Sequence, residues 1–102
     1  MPDNDKPLIW TSTASSDFIS ISDYLVSTWG LNSAISFEIL VEDSLGLIQK
    51  FPEMHKFYDI NKEIRKCVLN RHTSLYYRVE KRCIRILGLV SNRRNPKSIQ
   101  FD

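Results

Sequence analysis

The spacing of hydrophobic residues changes part-way along this chain, and the change limits the folds open to it. Between residues 18 and 48, large apolar side chains recur every three or four positions, which is typical of amphipathic helices. From Ile64 onward, apolar and polar residues alternate in short runs rich in Ile, Val, Leu and Tyr, as they do in half-buried strands. The chain therefore combines a helical first half with a strand-forming second half.

Two helices are predicted, one on each side of Gly30, because glycine commonly ends a helix. The apolar positions of the first helix are Phe18, Ile21, Leu25 and Trp29. Those of the second, which begins near Asn32 and ends at Phe51-Pro52, are Ala34, Phe37, Val41, Leu45 and Ile48. The N-cap oxygens of the first helix are expected from Thr13, Ser15 and Ser16, with Asp17 in the first turn. A connection this short makes the pair an antiparallel hairpin.

Four strands are predicted around this hairpin, and residues 53–61 are predicted to be a loop. The strands cover Pro7–Ser12, Ile64–Asn70, Thr73–Glu80 and Cys83–Val90. The sequence thus predicts an α+β fold of order β-α-α-β-β-β, with a helical hairpin packed on one face of a mainly antiparallel sheet. Residues 1–102 are expected to form a single domain, with a polar N-terminal tail at 1–6 and a basic C-terminal tail at 91–102.

Alternation along the strands predicts which face each side chain occupies. In the third strand, Leu75, Tyr77 and Val79 should face the core. The opposite face of that strand should be polar, with Tyr76, Arg78 and Glu80. In the last strand, one face should carry Ile84, Ile86, Gly88 and Val90.

Charged residues, like the apolar pattern, differ between the two halves of the chain. Residues 1–61 contain three Lys and no Arg against nine acids, whereas residues 62–102 contain eleven bases against three acids. The formal net charge of +2 hides this division. A basic second half of this kind is suited to an anionic partner, either nucleic acid or an acidic protein.

Several classes of protein are excluded by what the sequence lacks. No apolar run reaches the roughly 20 residues that span a membrane, and the N-terminus lacks the pattern of a secretory signal, so a cytoplasmic location is expected. Cys67 and Cys83 are predicted to be buried free thiols. Neither a metal-ligand spacing nor a glycine-rich phosphate loop is present, so no metal and no cofactor are expected.

An ordered set of short motifs supports a family assignment. The first half contributes Ile9-Trp10-Thr11, Ala14, Asp17-Phe18, Tyr24, Trp29-Gly30, Ala34, Phe37 and Pro52. The second half contributes Ile64-Arg65, His72, Leu75-Tyr76-Tyr77-Arg78-Val79, Ile84-x-Ile86-Leu87 and Asn92-Arg93-Arg94-Asn95-Pro96. Over roughly residues 8–99 this set resembles the RelE/ParE superfamily of toxins from bacterial type II toxin–antitoxin systems.

The resemblance implies a small cytoplasmic toxin that is neutralised by a cognate antitoxin. The C-terminal segment of such an antitoxin wraps the toxin, and DNA is contacted only indirectly, through the antitoxin. The antitoxin-binding residues that the resemblance implies are Arg78 and Arg85 on the sheet and, where they are exposed, Leu25, Trp29, Leu40, Val41 and Ile48.

Two mechanisms divide this superfamily, and both remain open at this stage. A RelE-like toxin is a metal-independent, ribosome-dependent mRNA endoribonuclease, and the matching catalytic set here would be Arg65, Arg78, Arg94, Tyr76 and His72. A ParE-like toxin binds DNA gyrase without cutting RNA. The Trp29-Gly30 helix end, the Asn95-Pro96 tail and the lack of a Tyr after the last strand favour the ParE-like branch. A third alternative is an inactive relative that only binds antitoxin.

Overall fold

A computed structural model describes residues 5–101 of the chain. Residues 1–4 of the predicted N-terminal tail and Asp102 of the predicted C-terminal tail lie outside the described residues. The elements are β1 (Leu8–Trp10), α1 (Ser12–Trp29), α2 (Leu31–Lys50), β2 (Phe57–Asp59), β3 (Ile64–Val68), β4 (Thr73–Val79) and β5 (Ile84–Ser91), followed by a 3-10 turn (Pro96–Ser98). Neither described helix is long and apolar enough to cross a membrane.

The strands form one sheet in the order β1-β5-β4-β3-β2. β1 pairs with β5 in parallel, and every other neighbouring pair is antiparallel. The hairpin of α1 and α2 packs on one face of this sheet, so the predicted α+β fold class is confirmed.

The sheet has one strand more than predicted, because β2 lies in the segment expected to be a loop. β2 pairs irregularly with β3, with Phe57 opposite Arg65 and Asp59 opposite Ile64. Three residues at the edge of a sheet are too few to show alternation, so the sequence pattern contains no sign of this strand.

Helix α1 begins earlier than the predicted capping residues. Thr11 is the N-cap, and its Oγ1 accepts a hydrogen bond from the Ala14 backbone N–H at 3.1 Å. The same hydroxyl donates to the Ile86 carbonyl at 2.9 Å, which ties the helix start to β5. Asp17 consequently lies beyond the first turn, and its Oδ2 accepts from the Leu89 N–H at 3.1 Å. The predictions for Thr13, Ser15, Ser16 and Asp17 were therefore wrong.

The main core fills the space between the hairpin and the sheet. Its helix-side residues are Ala14, Phe37, Val41, Leu45 and Ile48, and its sheet-side residues are Cys67, Leu75, Tyr77, Ile84, Ile86 and Leu89 on the strands and Leu69 just after β3. Cys67 and Cys83 are buried free thiols, as predicted; Cys67 lies on β3 and Cys83 directly before β5, and β4 lies between those two strands.

A bulge in β5 changes the side that its residues face. Tyr76 lies opposite Gly88 while Tyr77 lies opposite Ile86, so Leu87 is an extra residue in the ladder. Past this point the alternation is shifted by one: Leu89 packs in the main core with Ile86, whereas Val90 packs on the opposite face. The prediction that Ile86 and Val90 share a face was therefore wrong.

The second face of the sheet is covered by the end of the chain. Ile99 and Phe101 pack there against Ile64, Tyr76, Leu87 and Val90. A Cβ at Gly88 would lie 2.8 Å from Cε1 of Phe101, so the ring fits closely because this residue has no side chain. The predicted polar face at Tyr76 is consequently buried, and the C-terminal segment packs on the fold where the sequence indicated a basic tail.

Candidate functional site

Arg65, the first residue of the predicted catalytic set, fixes a loop. It lies opposite Tyr77 in the β3–β4 ladder, so it shares the face of the sheet on which the helices pack. Its Nη1 donates to the carbonyl oxygens of His55 at 2.7 Å and Glu53 at 3.3 Å, and its guanidinium lies 3.9 Å from the centre of the Phe57 ring. These contacts use the guanidinium to position residues 53–57.

Tyr76 lies on the opposite face from Arg65, beneath the end of the chain. Its ring centre is 5.1 Å from that of Phe101 and 5.0 Å from that of Tyr58, and the residue is almost fully buried. Burial, with the neighbouring Tyr58 hydroxyl as a second cause, raises the pKa of Tyr76 above its usual value. A tyrosine placed in this way is poorly suited to donate a proton to a ligand in solvent.

The remaining predicted catalytic residues lie at opposite ends of β4. His72 is exposed in the turn before Thr73, and its carbonyl accepts from the Asn92 N–H at 2.9 Å. Arg94 follows β5 nearby and donates to Ser98 Oγ at 3.4 Å. Arg78 lies five residues along β4 from Thr73, which is about 16 Å at the usual strand rise. The five residues therefore do not form one catalytic site.

Arg78 and Arg85 lie opposite each other on β4 and β5, with Glu80 bound between them. Arg85 Nε is 3.0 Å from Glu80 Oε2, and Arg78 Nη1 is 3.6 Å from the same oxygen. The hydrogen bonds from Arg85 lower the pKa of the Glu80 carboxyl, with a smaller contribution from the charge of Arg78. This pair of arginines is therefore an anion-binding arrangement that the chain occupies with its own carboxylate.

The residues predicted to bind an antitoxin differ widely in exposure. Trp29 is 69% exposed, whereas Leu25 and Leu40 are half-buried. Val41 is 2% exposed and Ile48 is fully buried, because both belong to the stripe of α2 that packs on the sheet. These two residues hold the core together, and the expectation applied to them only where they are exposed, so Trp29, Leu25 and Leu40 are the apolar candidates that remain.

A groove between the helices was missed by the sequence prediction. It measures about 380 Å³ and is lined by Trp10, Ser15, Phe18, Ile19, Glu38, Val41, Glu42 and Leu45. Glu38 and Glu42 are exposed on α2, one helical turn apart, and border an otherwise mostly apolar surface. The signal in the α2 sequence was the pair Glu38 and Glu42, which lie four positions apart beside the core stripe.

Metal-ligating side chains are scattered in this fold. Within residues 5–101, no group of three or more His, Cys, Asp and Glu residues is placed to hold a metal ion.

Comparison with known families identifies the fold's relatives. The family model described as "ParE toxin of type II toxin-antitoxin system, parDE" matches residues 8–96, which is most of the chain. The chain belongs to the ParE toxin family. The match runs from the start of β1 into the 3-10 turn, so Ile99 and Phe101, which close the second face of the sheet, follow the matched region.

A solved structure has the same fold. A chain of the "Chromosomal ParDE TA system from P. aeruginosa" superimposes with a TM-score of 0.73 at 22% sequence identity, covering 85% of this chain and 96% of that chain. A search of curated proteins finds no match to this sequence. The resemblance to RelE/ParE toxins is thus confirmed, on the ParE side of the superfamily.

Proposed function

We propose that this chain is the toxin of a type II toxin–antitoxin pair, that a cognate antitoxin neutralises it, and that it stops growth by binding DNA gyrase. Membership of the ParE toxin family supports the toxin role, and the ParDE neighbour supports an antitoxin partner. In this proposal residues 1–102 act as one cytoplasmic domain, and only the antitoxin contacts promoter DNA.

The dispersal of the predicted ribonuclease residues is the observation that favours target binding over RNA cleavage. Arg65 and Tyr76 lie on opposite faces of the sheet, and Tyr76 is covered by Phe101. Acid–base cleavage of RNA needs its proton donor, its base and its cations within hydrogen-bonding reach of one phosphate. Residues on two faces and at two ends of the sheet do not meet that requirement.

The antitoxin is proposed to contact both halves of the molecule. Trp29, together with the accessible parts of Leu25 and Leu40, would accept apolar side chains of a peptide helix. At the sheet, Arg78 and Arg85 would bind an antitoxin carboxylate. That carboxylate would compete with Glu80, whose Oε2 lies 3.0 Å from Arg85 Nε.

Toxins of this kind are encoded beside their antitoxin, so controlled expression of this chain with and without the reading frame that neighbours it in the genome tests this proposal. We expect growth arrest from the toxin alone, rescue by co-expression of the neighbour, and loss of DNA supercoiling when purified toxin is added to gyrase. The variants His72→Ala and Tyr76→Phe should arrest growth as the wild-type chain does, because neither residue carries out chemistry in this account.

Each failure of this experiment has a distinct meaning. Cleaved mRNA with unchanged supercoiling would establish the ribonuclease alternative. Normal growth without the neighbour, combined with tight binding of its product, would identify an inactive antitoxin-binding relative.

A further inference from the structure

Exposed basic side chains are collected at one end of the sheet. We call this set the basic end, and its members are Arg71, His72, Arg93, Arg94 and Lys97. The first two lie in the turn that joins β3 to β4, the next two follow β5, and the last lies in the 3-10 turn. Thr73 and Ser91 are paired in the β4–β5 ladder, so the turn before β4 and the segment after β5 are neighbours in space.

Asn92 holds the two parts of the basic end together. Its Nδ2 donates to the Asn70 carbonyl at 3.0 Å, and its Oδ1 accepts from the Ser74 hydroxyl at 2.6 Å. Its backbone N–H donates to the His72 carbonyl at 2.9 Å. Asn70 Oδ1 in turn accepts from the backbone N–H groups of His72 and Thr73, at 2.8 and 3.0 Å. The backbone that carries these bases is therefore fixed before a ligand binds, which lowers the entropic cost of binding.

The charge of the basic end is not balanced by acids. Residues 64–101 contain a single acid, Glu80, which binds Arg85 at the opposite end of the sheet. Every ion pair within residues 5–101 involves Glu80, so the bases of the basic end have no acidic partner in that part of the chain. Where the hairpin approaches Asn70, the residues that line the intervening pocket are uncharged, namely Leu25, Asn32, Ser33, Ser36, Phe37 and Leu40.

The opposite end of the sheet also carries exposed bases, but in a different setting. Lys62, Lys81 and Arg82 lie there, in the segments that lead into β3 and join β4 to β5. Glu63 and Glu80 are interspersed with them. That end therefore carries charges of both signs, as an ordinary solvated surface does, whereas the basic end presents charge of one sign, which attracts polyanions.

The residue types of the basic end favour a duplex over single-stranded nucleic acid. Arginine and lysine bind phosphate oxygens through charge-assisted hydrogen bonds. Single strands are held in addition by exposed aromatic side chains, on which the bases stack. Of the Phe, Tyr and Trp residues, residues 64–98 contain only Tyr76 and Tyr77, and both are buried. The side chains present therefore suit the phosphate backbone of a duplex.

We infer that the basic end binds the phosphate backbone of double-stranded DNA without reading its sequence. The choice of DNA rests on the proposed function, because DNA gyrase acts on DNA and would bring a duplex to the toxin. Promoter DNA remains with the antitoxin in that proposal. The five bases are enough for about four phosphate contacts, for which the logarithm of the binding constant falls with the logarithm of the salt concentration at a slope of about −3 to −4.

Fluorescence anisotropy of a labelled DNA duplex of arbitrary sequence, titrated with the full chain alone, tests the inference. The variant combines Arg71→Ala, Arg93→Ala and Lys97→Ala, which removes three exposed bases from the basic end. Arg94 is kept, because it donates to Ser98 and so holds the 3-10 turn.

The matched control makes the same change of net charge at the opposite end of the sheet. It combines Lys62→Ala, Lys81→Ala and Arg82→Ala, which are also exposed. Urea denaturation should give the same midpoint for the variant and the control, so that a difference in DNA binding is not a difference in folding.

The wild-type chain and the control should bind the duplex, and their affinity should fall about a hundredfold between about 50 and 200 mM salt. The variant should bind at least about tenfold more weakly at low salt, and its salt slope should be smaller by about 3, because three phosphate contacts are lost. Equal binding by the variant and the control, or no binding of the wild-type chain at about 50 mM salt, would overturn the inference.

Competition with other polyanions shows whether the partner is duplex DNA. A polyglutamate peptide and the single strand of the same sequence should displace the labelled duplex less well than unlabelled duplex does, at equal total charge. A duplex of RNA should displace it no better than DNA. Equal displacement by polyglutamate would replace DNA by an acidic protein, and stronger displacement by the single strand or by RNA would replace the DNA duplex by that ligand.

Growth arrest and gyrase inhibition separate a failure of this inference from a failure of the proposed function. If the wild-type chain arrests growth and inhibits gyrase while the variant and the control bind DNA equally, the proposed function stands and the inference fails. If gyrase is unaffected while the variant still loses DNA binding and the control does not, the proposed target fails and the basic end stands as a DNA-binding surface.

Discussion

The two faces of the sheet are covered in different ways. One face supports two helices of 18 and 20 residues, whose buried stripes form the main core. The other is closed by the last residues of the chain, chiefly through Ile99 and Phe101. The outer surface of the hairpin carries exposed apolar side chains, whereas the exposed part of the C-terminal segment, residues 91–98, is polar and basic. The comparison therefore favours the hairpin as the surface for the apolar part of the proposed antitoxin contact.

The largest expected change in stability comes from two separate variants, each of which removes one side chain that packs on a face of the sheet. Ile48→Ala should lower the free energy of unfolding by about 2–5 kcal/mol, because it leaves a cavity in the main core. Phe101→Ala should lower it by about 1–2 kcal/mol, since that ring is only half-buried. Urea denaturation of the two variants measures both values. An equal or larger loss for Phe101→Ala would mean that the second face contributes as much as the first.

A smaller effect is expected where the end of the chain approaches β5 most closely. In Gly88→Ala the new methyl would lie 2.8 Å from Phe101 Cε1 and 3.1 Å from Asp17 Oδ2, so the ring must shift, at about 1–3 kcal/mol. The matched control is Gly46→Ala in α2, where nothing lies within 4 Å and the helix should gain up to about 1 kcal/mol. Combining Gly88→Ala with Phe101→Ala should cost less than the two changes separately. Full additivity in urea denaturation would show that the ring does not pack there.

The smallest effect concerns the pH dependence of the helix-side core. Tyr77 is fully buried and donates to the Pro52 carbonyl at 2.8 Å. Burial raises its pKa to about 12, above the value near 10 of an unfolded chain. The neutral hydroxyl therefore stabilises the fold fully below pH ~10, and this contribution is lost as the pH rises from about 10 to about 12.

Tyr77→Phe provides the comparison for that measurement. Urea unfolding at pH ~9 and pH ~11 should show a smaller loss of stability for Tyr77→Phe than for the wild-type chain, because the variant has no buried phenol to ionise. An identical loss in both proteins would mean that Tyr77 does not titrate differently on unfolding.

The sequence predicted the elements whose residue patterns are periodic. It did not predict the features that depend on tertiary contacts. The helical and strand patterns were long enough to predict the hairpin and four of the five strands. The three-residue β2 was too short to show a period, and the extra residue Leu87 reversed the facing of Val90 without leaving a sign in the alternation.

The candidate sites show the same division between periodic pattern and tertiary contact. Val41 and Ile48 belong to the stripe that packs on the sheet, so they do not meet the condition that a docking residue be exposed. The exposed pair Glu38 and Glu42 could be recognised from the sequence, because it lies directly beside that buried stripe of α2. By contrast, the packing of Phe101 over Tyr76 and the binding of Glu80 between two arginines follow from strand register, which local patterns do not fix.

Hydrogen–deuterium exchange of the toxin, alone and bound to the product of the neighbouring reading frame, tests the central claim most directly. The account predicts that binding slows exchange most in residues 15–29 and 31–42, the parts of α1 and α2 that form the outer surface of the hairpin. Exchange in residues 96–101, which close the second face, should change little. Slowed exchange confined to the second face and the end of the chain, with the hairpin unchanged, would contradict the account.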